Sequence, residues 1–197
     1  MKKSLTQLSL VISLCFLLCF TFGCQNQAAK AELEEFKAQA ELQEQNKALV
    51  KRFYEAANKG DSEALMEVVA PEYAWYVPSR NTEPISREGS MEFVREMFDA
   101  FPDCHWSIED LIAEGNIVVS RFIMRGTHEG EYQGIPATGN KIEISGFMMA
   151  RIENGKVVED KEDVDQLGFM QQLGMELKPK GFFQQLGVEL KPKEAKK

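Results

Sequence analysis

The sequence predicts a single α+β domain in which helices come first and a curved antiparallel sheet follows. Three observations carry this expectation. Apolar residues recur at helical spacing through the first half of the domain. They alternate with polar ones through the second half, and Gly115-Asn116 and Asn154-Gly155 punctuate that half as tight hairpin turns do. Helices followed by a run of strands pack as one layer of helices against one face of a sheet.

Leu49, Val50, Phe53, Ala56 and Ala57 fall on one helical face, and Gly60 stands where a C-terminal cap belongs. Asp61 or Ser62 then caps a short second helix carrying Leu65, Val68 and Val69, which Pro71 ends. Tyr73 to Val77 reads as a short aromatic strand. Met91, Val94, Met97, Phe98 and Phe101 form the apolar face of a third helix, stopped at Pro102. Four strand-like runs follow: His105 to Ala113, Ile117 to His128, Lys141 to Glu153, and Lys156 to about Asp163. The domain proper is expected over residues 46–177, which is enough chain for one core and not for two.

The N-terminus has the character of a targeting segment. Lys2 and Lys3 form a basic stretch, Leu8 to Phe22 is apolar, and Gly23-Cys24 closes it. A small residue before Cys24 resembles the lipobox of bacterial lipoproteins, which implies a signal peptide over residues 1–23 and lipid on Cys24. The run is short for a stable membrane span; the alternative is an uncleaved N-terminal anchor helix. Either way the expected location is the extracytoplasmic side of a bacterial membrane. Residues 24–45 read as a polar helical tether; Ala28 to Gln45, rich in Ala, Glu, Gln and Lys, would span about 27 Å as a helix.

Composition excludes several classes of function. The chain has 31 acidic against 23 basic residues, a net charge of −8 that becomes more negative once Lys2 and Lys3 are set aside. Such a domain repels phosphate backbones, so no nucleic-acid partner is expected. With Cys15, Cys19 and Cys24 in the N-terminal segment, only Cys104 remains, and no internal disulfide can form. His105 and His128 are the two histidines, too few for a zinc cluster, so no metal is expected.

The tail, residues 178–197, is basic, with six Lys against two Glu. It also holds a repeat. Gly168 to Lys180 and Gly181 to Lys193 are 13-residue units that differ at two positions. One copy is expected to occupy a native docking site and the other to be surplus.

Candidate chemistry lies on the strands, whose side chains alternate faces. Val118, Phe122, Met124 and His128 share one face of the Ile117 strand, and Arg121 and Arg125 the other. His128 suits a pocket mouth; the alternative is a strand-end histidine hydrogen-bonded to a nearby loop. Phe147 and Met149 share a face with Glu143, Ser145 and Arg151. On the last strand Glu159, Lys161, Asp163 and Asp165 fall on one side if a period of two holds. Carboxylates at the rim of an apolar cavity gain raised pKa values and suit acid/base work; the alternative is a solvated edge strand whose charges resist aggregation.

Arg52-Phe-Tyr, Gly60-Asp61, the run Gly126 to Gly139, Asn154-Gly-Lys-Val-Val-Glu159, and Asp165 with Gln172-Leu-Gly occur in an order and spacing that resemble the SnoaL-like polyketide (ester) cyclases. These are enzymes on the nuclear transport factor 2-like cone. The resemblance covers roughly Lys47 to Gly174. It implies a cone with about three N-terminal helices, no cofactor, and an Asp near the end of the last strand that shuttles a proton while a substrate cyclises. By motif position Asp165 is that candidate and Asp163 its rival. Glu159, His128 and Tyr54 are expected pocket partners, with Trp75, Phe122 and Phe147, beside Phe53, Phe98 and Met124, as apolar lining. Where relatives commonly have His-Trp after the residue matching Glu159, this chain has Asp160-Lys161, and a Lys facing the Asp would favour its ionised form. The expected function is acid/base chemistry on a small hydrophobic carbonyl compound. The alternatives are a non-catalytic lipoprotein that binds an apolar ligand in the same pocket, and an interaction module that forms a homodimer through its sheet.

Overall fold

The structure is a computed structural model; it describes the backbone of residues 2–77, 83–179 and 188–192, and the side chains of 27, 29–77 and 83–176. The expectations for the Cys24 side chain and for residues 181–187 and 193 of the second repeat therefore lie outside the described residues. The chain divides into two compact units, residues 1–42 and 43–197. The first is helical throughout its described length, as part of α1 (Lys2–Asn58).

In the second unit, the last turns of α1 are pinned to the sheet by two asparagines. Asn46 Nδ2 donates to Gly115 O at 3.0 Å. Asn58 Nδ2 donates to Trp106 O at 2.8 Å and its Oδ1 accepts from Trp106 N at 2.7 Å. Between these pins Leu49, Val50, Tyr54, Ala56 and Ala57 are buried, as the helical spacing requires. Gly60 takes a left-handed φ of +61° beyond the helix end. Asp61 Oδ1 then accepts from Ala64 N at 3.0 Å and caps α2 (Ser62–Val68).

Here the structure departs from the simple expectation. α2 gives way directly to β1 (Val69–Tyr76), so Pro71 lies inside a strand rather than behind a helix. The short β2 (Ile85–Ser86) pairs with β1, and Ser86 caps α3 (Arg87–Ala100) by accepting from Gly89 N. Then come β3 (His105–Glu114), β4 (Ile117–Thr127), β5 (Lys141–Glu153) and β6 (Lys156–Val164). The Gly115-Asn116 and Asn154-Gly155 hairpins fall where the sequence puts them, with Asn154 and Gly155 both at positive φ.

The six strands run β2-β1-β6-β5-β4-β3, and the pairing is antiparallel except between β1 and β6, which are parallel. That parallel seam places the aromatic strand beside the acidic one. One face of the sheet is lined by Val118, Phe122, Met124, Ile142, Ile144, Met148 and Ala150, which pack against α1 and α3 in a single core. Each large side chain fully buried there contributes about 1.5–3 kcal/mol of apolar transfer.

α4 (Gln166–Gln172) closes the domain. Gln172 behaves as a side-chain extension of the sheet: its Oε1 accepts from Glu143 N at 2.6 Å and its Nε2 donates to Glu143 O at 2.9 Å. Beyond it, β7 (Met175–Pro179) pairs antiparallel with β8 (Val188–Pro192), joining equivalent strands of the two repeats, Leu177 opposite Leu190. The second copy's strand is thus paired with the first rather than left over.

Candidate functional site

Between the helices and the inner face of the sheet lies an apolar pocket. The space open to the centre of a water molecule is about 70 Å³, several times what one water needs. Helix α1 contributes Phe53, Tyr54 and Ala57, and α3 contributes Ser90, Phe93, Val94 and Met97. The sheet supplies Trp75 and Val77, Trp106, Phe122 and Met124, and Ile144 and Met148. β6 supplies Asp160, Glu162 and Val164, and α4 closes the wall with Gln166 and Phe169. Of the expected site residues, Tyr54, Trp75 and Phe122 are therefore together on this wall, with Phe53 and Met124.

The carboxylates expected there are not the ones present. Asp163 and Asp165 are exposed, and Glu159 points away from the core. A bulge is the cause. Arg151 pairs with Glu159 and Ile152 with Val157, which leaves Val158 as an extra residue in β6. Val157 and Val158 are both buried, and every later side chain changes face. Asp160 and Glu162 turn inward in place of Glu159, Lys161, Asp163 and Asp165. Lys161 instead binds Glu159 at 2.9 Å on the outer face and lies over the Tyr76 ring. Lys161 and Arg151 hold Glu159 below the usual carboxylate range.

Asp165 has a structural task. Its Oδ1 accepts from Gly168 N at 2.8 Å, capping α4.

Phe147 is also a correction: it is 55 % exposed on the outer face, because β5 turns Ile144, Gly146 and Met148 inward. Phe98 packs edge-on against Trp106 instead of lining the pocket. His128 is 0 % exposed and is not a pocket-mouth residue; the alternative, a strand-end histidine hydrogen-bonded to a nearby loop, is what the structure has. Its ring stacks on Phe101 with centroids 5.0 Å apart, and its Nδ1 meets Thr138 Oγ1 at 3.0 Å. The loop that carries it is fastened to the end of α3, where Glu129 N and Gly130 N both donate to Ala100 O. The Gly126 to Gly139 segment thus helps build a wall: Tyr132 packs edge to face on both Phe101 and Phe169, and Phe169 reaches the pocket.

The polar part of the pocket is where its chemistry concentrates. Asp160 is 1 % exposed. Its Oδ2 accepts from Tyr73 OH at 3.2 Å, and its Oδ1 has no partner. Burial pushes its carboxyl well above the usual range, and the negative charge of Glu162 adds to that. Burial likewise raises the Tyr73 and Tyr54 hydroxyls, so both stay neutral; Tyr54 OH lies 2.9 Å from Ser120 Oγ. A neutral acid beside a second carboxyl, in an apolar setting, is an arrangement in which two like groups take different protonation states. Two adjacent apolar residues, Val157-Val158, coincide with the bulge, and the charged run Glu159 to Asp163 that follows has no apolar alternation to show which of its faces turns inward. Among the described residues no cluster of three or more His, Cys, Asp or Glu stands ready for a metal ion.

Comparison with known proteins agrees with this architecture. The family described as SnoaL-like polyketide cyclase matches residues 48–173. The chain is 29 % identical over 128 residues to the aklanonic acid methyl ester cyclase DnrD of Streptomyces peucetius, covering 64 % of this chain and 88 % of that one. Among solved structures, wild-type IdmH from Streptomyces antibioticus superposes with a TM-score of 0.60 at 31 % identity, over 66 % of this chain and 98 % of its own. TsrD from Streptomyces laurentii gives 0.58 at 30 %, over 64 % and 92 %. The fold is thereby the nuclear transport factor 2-like cone that the motifs imply.

Proposed function

The chain belongs to the SnoaL-like polyketide cyclase family, and we propose that it is a cofactor-independent acid/base catalyst acting on a small hydrophobic carbonyl compound. One observation carries the reading: Asp160 and Glu162 stand two residues apart on the same wall of an otherwise apolar pocket. Glu162 is the proton carrier. Its carboxylate takes a proton from the carbon beside a carbonyl; the C–H pair becomes an enolate. The enolate carbon attacks a second carbonyl of the same molecule and a C–C bond forms. The new alkoxide then takes the proton back from Glu162, so the product has the mass of the substrate. The aromatic walls fold the chain so that the two carbons meet, which is where much of the rate comes from.

Deuterium uptake at the carbon beside the carbonyl of a small ketone tests the first step. Glu162→Gln is expected to lower that exchange about 100-fold or more. Exchange that survives the substitution would remove Glu162 from the mechanism. The relative that cyclises a methyl ester makes neutral esters and ketones the compounds to try first. From Lys2-Lys3, the apolar run Leu8 to Phe22 and Gly23-Cys24 we further propose that the domain is held on the extracytoplasmic face of a bacterial membrane through lipid on Cys24. Incorporation of a labelled fatty acid into the wild type but not into Cys24→Ser is the expected result.

A further inference from the structure

Outside the proton carrier, three pocket-lining residues hold a buried polar atom whose hydrogen bond is unmade: Trp75, Asp160 and, at the α4 wall, Gln166. Trp75 is 5 % exposed and its Nε1 has no partner. Asp160 Oδ1 is likewise unpartnered. The first two are not scattered. Trp75 and Asp160 are directly paired across the parallel β1–β6 seam, and both line the pocket. Paired residues on adjacent strands stand about 5 Å apart and project to the same face. A buried donor with no acceptor costs about 1–3 kcal/mol, so two side by side on a cavity wall point to an occupant that satisfies both.

We propose that Trp75 and Asp160 form a two-donor cradle for a ligand oxygen, so that the pocket selects compounds carrying a carbonyl or enol oxygen over hydrocarbons of the same shape. The indole Nε1–H can only donate. Asp160 Oδ2 is engaged in accepting from Tyr73, so the proton of the neutral acid resides on Oδ1 and points to the ligand. A carbonyl oxygen has two lone pairs and takes both donors at once. The cradle builds on the acid/base reading by giving the enolate oxygen a place where its charge is met as it develops, and donors so placed act on the transition state more than on the ground state. It also fixes the ligand's direction. With its oxygen held between β1 and β6, the neighbouring carbon lies toward Glu162, one step along the same face of β6.

The test compares two probes, 2-indanone and indane, which share a shape and differ by the oxygen. Calorimetric titration of the wild type is expected to show a ketone preference of about 10-fold or more, the worth of one to two buried hydrogen bonds. Trp75→Phe removes the N–H together with part of the indole, a contact common to both probes, so the ratio of the two affinities isolates the N–H; that ratio should fall about 10-fold. Asp160→Asn retains a donor and should keep the preference, whereas Asp160→Val should lose it. A wild type that does not prefer the ketone, or a Trp75→Phe variant that prefers it as strongly as the wild type, would overturn the cradle. Deuterium exchange on bound 2-indanone separates this from the acid/base reading. Preference without exchange leaves the cradle standing and removes the catalyst.

Discussion

Replacing Asp160 by Asn should make the protein more stable, and increasingly so as pH rises. In the folded chain the Asp160 carboxyl is 1 % exposed and lies beside the negative charge of Glu162, so it keeps its proton far above the pH at which an ordinary Asp ionises. In the unfolded chain it ionises near pH 4. Between these two pKa values the folded state binds one proton more than the unfolded state, and stability therefore falls with rising pH. A single proton gives a slope of at most about 1.4 kcal/mol per pH unit. The loss starts near pH 4, continues upward, and levels off only above the folded pKa. Asn cannot titrate, and its amide oxygen can still accept from Tyr73, so it is spared this loss. Urea unfolding of both proteins at pH 4, 5, 6 and 7 gives the difference directly, and titrations elsewhere in the chain largely cancel from it. The gap between variant and wild type should be small at pH 4 and widen by about 1 kcal/mol per unit thereafter. A gap that stays flat or narrows with pH would mean that Asp160 is ionised when folded, and the neutral-donor argument would fail with it.

Other substitutions probe other parts of the architecture. Asp165→Ala removes the α4 cap and should cost about 0.5–2 kcal/mol in unfolding experiments, with deuterium exchange in the ketone retained; loss of exchange in a folded variant would return the catalytic role to Asp165. Phe147→Ser, on the exposed outer face, should shift stability by no more than about 0.5 kcal/mol, whereas Phe122→Ala, fully buried at the pocket, should cost about 3–5 kcal/mol. Burial holds the His128 imidazole below its ordinary pKa, so here the unfolded state binds the extra proton and stability should be lost as pH falls below about 6.5; a His128→Gln variant whose pH profile matches the wild type would contradict that.

Much of the fold is legible in the sequence because it rests on local signals. The Asn154-Gly155 hairpin needs two positive φ angles, and Asn-Gly supplies them. Gly60 and Asp61 mark a helix end and a helix start by the same kind of local demand. What is less legible is set by pairing across the sheet. Pro71 does not break β1, and no local pattern announces that β1 runs parallel to β6. Alternation on β5 correctly groups Phe147 with Met149, but which of its two faces meets the helices is decided by the packing of α1 and α3, not by the strand itself. His128 shows the same limit: its strand face is read correctly, yet the loop that folds back over it closes it off from the pocket.

The bulge at Val158 decides the chemistry. Strict alternation would bring Glu159, Lys161 and Asp163 inward, two acids around a cation, a set that stabilises charge and makes a poor proton donor. One extra residue exchanges that set for Asp160 and Glu162, with Lys161 turned outward onto Glu159. The departure from the His-Trp of relatives then has a different meaning from the one the sequence suggests. Lys161 does not face the acid and cannot lower its pKa, and Asp160 enters a buried position beside Trp75, where an ionised carboxylate would be poorly solvated. A side chain held neutral there is a donor, and an imidazole with its N–H turned inward would fill the same office. On this argument Asp160→His should retain ketone preference in the indanone and indane comparison, while adding a group that becomes cationic as pH falls. The ketone preference of that variant should then change below about pH 6.5, where that of the wild type does not. A variant that binds indane normally but shows no preference for the ketone at any pH would mean that the carboxyl, and not merely a donor at that position, is required.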